Sequence, residues 1–384
     1  MFTLSHLQQI LKPVQNGVFQ KFVDEQRADK YSKKFRCHDL LVGLVYGQLS
    51  QSTSLRVLEA RFNSHPEQLY HLNTQEISRS TLADAMKSRS TAPFVQLVSA
   101  LMQQCQRSLR RDAKELLYLL DSTGIILKGH GFEAFEGQDS GRINGLKLHL
   151  MIDAHGGFPV EQHLTSAKVS DIKAGRDFKI DTGVTYAFDK GYCDYAWWAK
   201  INEAGSFFVT RQKKNAAFKV ISSNATTETH ILSDELIVFP KPAKSRAANY
   251  PHPLRRIVVS RPDKLPLTII SNLLDASASE IAETYKARWQ IELLFKWLKQ
   301  HLKIKTFLGR NENAVKLQIL CALIAFLLLK LYHQRAPQTA ADTLWIFMAG
   351  TSANLFQRPA TERACHKRRQ AHRAECEARQ VGLF

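Results

Sequence analysis

Apolar and polar residues recur along this chain with two different periods. Across Ala282–Leu302 the apolar residues Ile291, Leu294, Leu298 and Leu302 follow helical spacing, which predicts a helix with one core-facing stripe. At 3.6 residues per turn, Tyr285, Arg288, Glu292 and Lys299 fall within an arc of roughly 60° on that helix. One acid thus shares the polar face with two cations and a phenol. The same pattern also describes a solvated face with an incidental i, i+4 pair, Arg288–Glu292.

Residues 1 to about 110 read as helical as well. Leu40, Leu41, Leu44 and Val45 share a face, as do Leu55, Leu58 and Phe62, with Pro66 and Asn73 as punctuation. Ile77–Arg89 has the form of the second helix of a helix-turn-helix, with Ser80 as N-cap and Arg79, Lys87 and Arg89 available for phosphates. From Glu115 the pattern changes to that of strands, beginning with a long apolar run and passing to alternation over Gly145–Asp153. Strands are expected over Glu115–Leu127, Gly145–Asp153, Val160–Thr165, Thr185–Lys190 and Ser206–Arg211, with a helix over Tyr195–Ala204. Four further short strands, Phe218–Ser222, His230–Phe239, Arg255–Arg261 and Leu267–Ser271, read as an all-β insertion ahead of the helix. Its connections are basic: seven Lys or Arg lie between Lys241 and Lys264 against one acid, Asp263.

These elements predict an α/β fold: a mixed sheet with an all-β insertion, plus helical N-terminal and C-terminal regions. The expected division is a helical DNA-binding domain over 1–110, a first part of the core over 111–211, the β-rich insertion over 212–272, a helical second part of the core over 273–335, and a basic region over 336–384. Ile319–Leu329 is the one continuous apolar run, too short to span a bilayer and suited to a buried helix. The first residues lack the long apolar stretch of a secretion signal, so no membrane role is expected.

Charge narrows the partner. Lys and Arg number 53 against 35 Asp and Glu, a net +18 that favours a polyanion, and nucleic acid is the commonest. The six cysteines are scattered without a C-x-x-C pair and read as reduced thiols of a cytoplasmic protein. Gly141–Gly145 lacks the glycine pattern of a phosphate loop, so no nucleotide cofactor is implied.

Three acids stand out for chemistry. Asp121 interrupts an otherwise apolar strand, where a lone carboxylate is costly unless it is paired or bound to metal. Asp189 ends the short strand Tyr186–Ala187–Phe188, and Glu292 lies on the polar face of the helix. Hard oxygen donors from three segments suit Mg²⁺ or Mn²⁺, and a pair of such ions can drive phosphodiester chemistry. Taken singly, Asp121 and Asp189 are also explained as turn caps or as partners of Arg288 and Lys190.

The order strand-Asp, strand-Asp, β-insertion, helix-Glu resembles the ribonuclease-H-like catalytic domain of DDE transposases. Tyr285-x2-Arg288-x3-Glu292-x6-Lys299 resembles the Y-R-E-K signature of cut-and-paste transposases in insertion-sequence family four, with Trp289 and Phe295-Lys296-Trp297 adding to the likeness. Asp121-Ser122-Thr123 and Asp189-Lys190-Gly191-Tyr192 resemble that family's first two catalytic blocks. The likeness covers residues from about 115 to about 330 and the N-terminal part loosely. It implies that Asp121, Asp189 and Glu292 are the catalytic triad and bind two Mg²⁺ or Mn²⁺ ions. Tyr285, Arg288 and Lys299 would hold phosphates of double-stranded DNA at a transposon end. The implied reaction is nicking at the element end, attack by the new 3′-hydroxyl, and joining to target DNA. Two copies would act as a homodimer in the synaptic complex, on the nucleoid of a bacterial cytoplasm.

One departure concerns the β-insertion. Better-known relatives carry a Trp there that stacks on a flipped base, whereas no Trp lies between Trp198 and Trp289 here. Phe208, Phe218, Phe239 and Tyr250 are the aromatic substitutes. Among rival acids, Asp153 precedes a Gly-rich turn, Asp194 suits an N-cap, and Asp171, Asp177 and Asp181 carry no further signal. Cys365, His366, His372 and Cys376 do not match zinc-ligand spacing. A catalytically silent DNA-binding protein and a nuclease or resolvase on the same fold are the alternatives.

Overall fold

In the computed structural model the residues described are 5–15, 17–107, 116–127, 130–135, 145–213, 216–226, 228–239, 250–262, 264–302, 307–335 and 355–356. The basic loop at 241–249 and the tail from Arg358, with Cys365, His366, His372 and Cys376, lie outside them. Among the described residues, those up to Leu101 and from His301 onward form one unit, and those from Met102 to Gln300 form another.

The first unit is helical. It holds α1 (His6–Gln15), α2 (Val18–Glu25), α3 (Cys37–Leu49), α4 (Leu55–Asn63), α5 (Pro66–Leu69), α6 (Arg79–Ser88) and most of α7 (Ala92–Arg107). Into it packs a long helix, Glu312–Arg335, which touches α1, α3 and α6. That helix contains the apolar run read from the sequence. It is longer than expected, at 24 residues, and apolar enough to cross a bilayer by length and composition. A helix that is apolar on every side needs protein on every side, and Val315 through Leu329 is buried almost throughout. Two details of α6 differ from expectation. Its N-cap is Ser78, whose hydroxyl accepts from the Thr81 amide at 3.3 Å, and not Ser80. Arg89, which caps its far end, donates to Ser32 Oγ and to the Phe35 carbonyl, so this guanidinium is engaged within the fold.

The second unit is built on one nine-stranded sheet. In chain order its strands are β1 (Leu117–Ile126), β2 (Gly145–Asp153), β3 (Phe158–Ser166), β4 (Thr185–Phe188), β5 (Phe207–Arg211), β6 (Lys219–Ser223), β7 (Ile231–Val238), β8 (Leu254–Arg261) and β9 (Lys264–Ser271). They lie in the order β3-β2-β1-β4-β5-β9-β8-β7-β6. β1, β4 and β5 run parallel, with α8 (Asp171–Asp177) and α9 (Tyr195–Glu203) in the connections. The other pairings are antiparallel. The four strands read as an all-β insertion form the outer part of this sheet, joined where β9 pairs with β5. Asp194 caps α9 by accepting from the Trp197 amide at 2.8 Å, as its position suggested. One core lies under the parallel strands, where Phe188, Trp198, Phe208 and Tyr250 are all at most 1% exposed.

Phe208, Phe239 and Tyr250 are therefore core residues, and not exposed stacking platforms. Phe218 is half-buried beneath the Arg256 guanidinium, 4.7 Å from its ring centroid.

The sheet also fixes where the next helix begins. Arg255 on β8 grips both carboxylate oxygens of Asp234 on β7, at 2.8 and 2.5 Å. Its third nitrogen donates to the carbonyls of Leu274 and Ala276. Ser277 follows at once and caps α10 (Ala278–Ala287) in a reciprocal box with Glu280. The stretch predicted as one helix is two, because the chain turns at Arg288 before α11 (Trp289–His301). There the Arg288 and Ile291 amides bond three residues back, to Tyr285 and Arg288, the tighter pattern of a 3₁₀ turn.

Candidate active site

The parallel ladder between β1 and β4 sets two of the three acids side by side. Leu120 pairs with Phe188, and Asp121 and Asp189 are the next residues of the two segments, at a place where paired strands lie about 4.8 Å apart. β1 continues past that point, which leaves Asp121 in mid-strand, whereas β4 ends and Asp189 opens a short turn. The acid sits mid-strand because the strand serves the core before and after it, with Leu119, Leu120 and Ile125 buried.

Glu292 arrives from α11. The stripe read from the sequence anchors that helix: Ile291, Leu294 and Leu298 are buried, as is Leu302 just beyond its end. Glu292 stays about a third exposed on the other side. Arg288 at the turn joins the segments, donating to Asp121 Oδ2 at 3.1 Å and to Glu292 Oε1 at 2.5 Å. Tyr285 differs from its place on the helical wheel. The turn at Arg288 leaves it on the inward side of α10 with Ile281, only 6% exposed. The Arg288 guanidinium lies 5.6 Å from its ring centroid. Lys299 is half-buried near the end of α11.

The electrostatics follow from this crowding. Burial is the main force that raises Asp121 from the ordinary carboxylate range to about 6. The Ser122 amide and Arg288 oppose that rise, and the charges of Glu292 and Asp189 add to it. Both other acids are therefore within electrical reach of Asp121. Burial works against the charge of Arg288 too, but Tyr285, Glu292 and Asp121 outweigh it and hold the guanidinium proton more firmly than usual. Burial drives the Tyr285 phenol up to about 12. Asp189 is less well served. Among the described residues its Oδ1 is buried without a hydrogen-bond partner, and Arg211 Nη1 pairs with it only at 3.8 Å.

Those features are what a divalent cation would relieve: hard oxygens, one of them orphaned, and a carboxylate short of positive charge. Among the described residues no three acid, His or Cys side chains already surround one point as a cage. Between Asp121 and Glu292 the countercharge is supplied by Arg288.

A rival acid has a role that sequence spacing did not signal. Asp171, the first residue of α8, accepts from Ser122 Oγ at 2.7 Å and pairs with Lys147 Nζ at 3.3 Å. A methyl group on Gly191 would stand only 3.2 Å from Asp171 Oδ2. Asp171 thus braces the residue after Asp121 and lies close against the turn after Asp189. His149, fully buried 3.7 Å from it, is pushed down to about 4 by burial. Only the pairing of distant strands brings these groups together, so no local motif could have revealed them. Asp153 accepts from the Gly156 amide in a turn, and Asp181 pairs with Lys179 on the surface.

Comparisons with known proteins converge. The family described as Transposase DDE domain matches residues 112–328, and a Domain of unknown function (DUF4372) matches residues 3–74. A Sinorhizobium fredii protein named as a transposase is 42% identical over 254 residues, 65% of this chain and 70% of that protein. Proteins named as transposases for insertion sequence elements in Synechocystis sp. and Geobacillus stearothermophilus are each 26% identical. Those matches cover 81% and 70% of this chain and 84% and 71% of theirs. Among solved structures, the piggyBac transposase synaptic complex with hairpin DNA superposes with a TM-score of 0.51 at 9% identity. That likeness spans 92% of this chain and 80% of the other, and it concerns the fold.

Proposed function

This chain belongs to the Transposase DDE domain family, and from that premise we propose that it cuts and joins DNA at the ends of a bacterial insertion sequence of family four. The observation that carries this reading is the convergence of Asp121, Asp189 and Glu292. One comes from mid-strand, one from a strand end and one from a helix, and Arg288 bridges the first to the last.

Asp121, Asp189 and Glu292 would hold two Mg²⁺ or Mn²⁺ ions, of which the family implies divalent metal in general. Bound there, the ions would activate a water or a 3′-hydroxyl and stabilise the leaving oxygen of a phosphodiester. The protein's own groups do the positioning. Arg288 keeps two carboxylates oriented by its hydrogen bonds, and the same guanidinium would hold a phosphate beside them. Tyr285 supports it from beneath, and Lys299, farther along α11, supplies a second phosphate contact. The net charge of +18 draws in the element end and the target duplex. Pairing two ends calls for two copies of the chain.

The test uses a duplex carrying the inverted repeat that flanks the coding region. With Mg²⁺ the wild-type chain should nick it, whereas Glu292→Gln should bind it and leave it whole. Undiminished cutting by that variant would remove Glu292 from the site.

A further inference from the structure

The helical unit carries a feature that the catalytic reading does not use. Residues 26–36 link α2 to α3, and two of them, Arg27 and Tyr31, hold left-handed backbone at φ 48° and 73°. Bulky L-residues rarely adopt that conformation. Tyr31 is also 88% exposed, so packing returns nothing for it. Even so, the loop is built in place. Asp29 Oδ1 accepts from the Cys37 amide at 2.8 Å, Arg89 holds Ser32 Oγ and the Phe35 carbonyl, and Gln75 donates to the Lys34 carbonyl at 2.9 Å.

What this frame displays is positive charge around an aromatic ring. Arg27, Lys30, Lys33, Lys34 and Arg36 are all exposed, and Lys30 Nζ lies 4.9 Å from the Tyr31 ring centroid. The one acid in the loop, Asp29, is turned inward to the Cys37 amide. The acids just before it are also engaged, Asp24 with Gln20 and Glu25 with Lys21. A loop that fixes five cations and a costly exposed ring is arranged for a polyanion of regular spacing.

We propose that residues 27–36 grip the sugar-phosphate backbone of duplex DNA, with the cations on successive phosphates and Tyr31 against the strand. This gives a task to part of the region that matches a domain of unknown function. It rests on the reading of the chain as a DNA-joining enzyme, but it is tested by binding with metal chelated, where cutting plays no part.

Fluorescence anisotropy of the full chain on a random-sequence duplex, across a salt series, reads the contact. The triple variant Lys30→Ala, Lys33→Ala, Lys34→Ala should flatten the log–log salt slope by about 2 to 3 units and weaken binding at low salt at least tenfold. Its thermal midpoint should stay that of the wild type. Tyr31→Gly should raise the midpoint by a few degrees, since it relieves the backbone, and weaken binding several-fold. An unchanged slope in the triple variant, or full affinity in Tyr31→Gly, would overturn the assignment. Loss of cutting by Glu292→Gln with an intact slope leaves the two readings separable.

Discussion

Asp121 and Asp189 each follow directly on the Leu120–Phe188 pair of two neighbouring parallel strands, Asp121 within its strand and Asp189 just past the end of the other. Their side chains have unequal partners. Asp121 has the Ser122 amide and Arg288, whereas Asp189 Oδ1 is buried with no hydrogen bond. An acid kept in that condition is poised to bind a cation at a cost to the folded state. Asp189→Asn is therefore expected to lower Mn²⁺ affinity at least tenfold while leaving metal-free stability unchanged or raised by about 1 kcal/mol. Isothermal titration and urea unfolding on the same preparation measure both. A variant that loses stability and keeps its Mn²⁺ affinity would assign Asp189 to the fold.

The raised Asp121 gives a pH dependence with a definite sign. Metal needs the ionised carboxylate, so protons compete with it below pH about 6. Mn²⁺ affinity should fall as pH drops from 7 to 5, approaching tenfold per unit below about 6. Metal-free stability should move the other way. Between the ordinary carboxylate value and about 6, the folded chain keeps a proton that the unfolded chain has released. The contribution of Asp121 to stability thus falls as pH rises through that window and is level above it. Comparison with Asp121→Asn isolates this single group, since the difference between the two proteins should change with pH between about 4 and 6 and level off on either side. A constant difference from pH 4 to 7 would mean that Asp121 titrates normally.

Asp171 is expected to act through the acids beside it. It accepts from Ser122 Oγ and pairs with Lys147, so it braces the backbone that carries Asp121. Asp171→Ala should lower the rate of end cleavage and the Mn²⁺ affinity by about 10–100-fold, the usual range for groups that orient ligands. Duplex affinity in chelator should be unchanged. Asp171→Asn keeps an acceptor for Ser122 and should recover part of the loss. Equal effects of Ala and Asn, with normal Mn²⁺ binding, would leave Asp171 a purely structural residue.

Much of this arrangement was legible in the sequence because its signals are local. The strand with Asp121 at its middle, the short strand before Asp189 and the apolar stripe of α11 all follow from spacing over a few residues. What needed the fold was tertiary. No period reports that β9 joins β5, or that Leu120 falls opposite Phe188. The helical wheel assumed one straight helix, so it placed Tyr285 beside Glu292 on a polar face. The turn at Arg288 sends Tyr285 inward, where the Arg288 guanidinium lies above its ring. Arg89 looked equally available for phosphate, because a sequence cannot show that Ser32 and Phe35 already hold it.

The clasp ahead of α10 makes a stability prediction. Arg255 and Asp234 are 9% and 6% exposed, with every nitrogen of the guanidinium engaged. Removing one partner from such a pair leaves an uncompensated buried charge, and Asp234→Ala should cost about 3–5 kcal/mol by urea unfolding. Replacing both, Asp234→Leu with Arg255→Met, removes the stranded charge and should recover much of that loss. The carbonyls of Leu274 and Ala276 then lose their donor, so the start of α10 is held less firmly. The double variant should accordingly regain stability ahead of cutting activity, because Arg288 and Glu292 depend on where that helix begins. A loss under about 1 kcal/mol for Asp234→Ala would mean that water reaches the pair and screens it. Full activity in the double variant would separate the clasp from the positioning of Arg288 and Glu292.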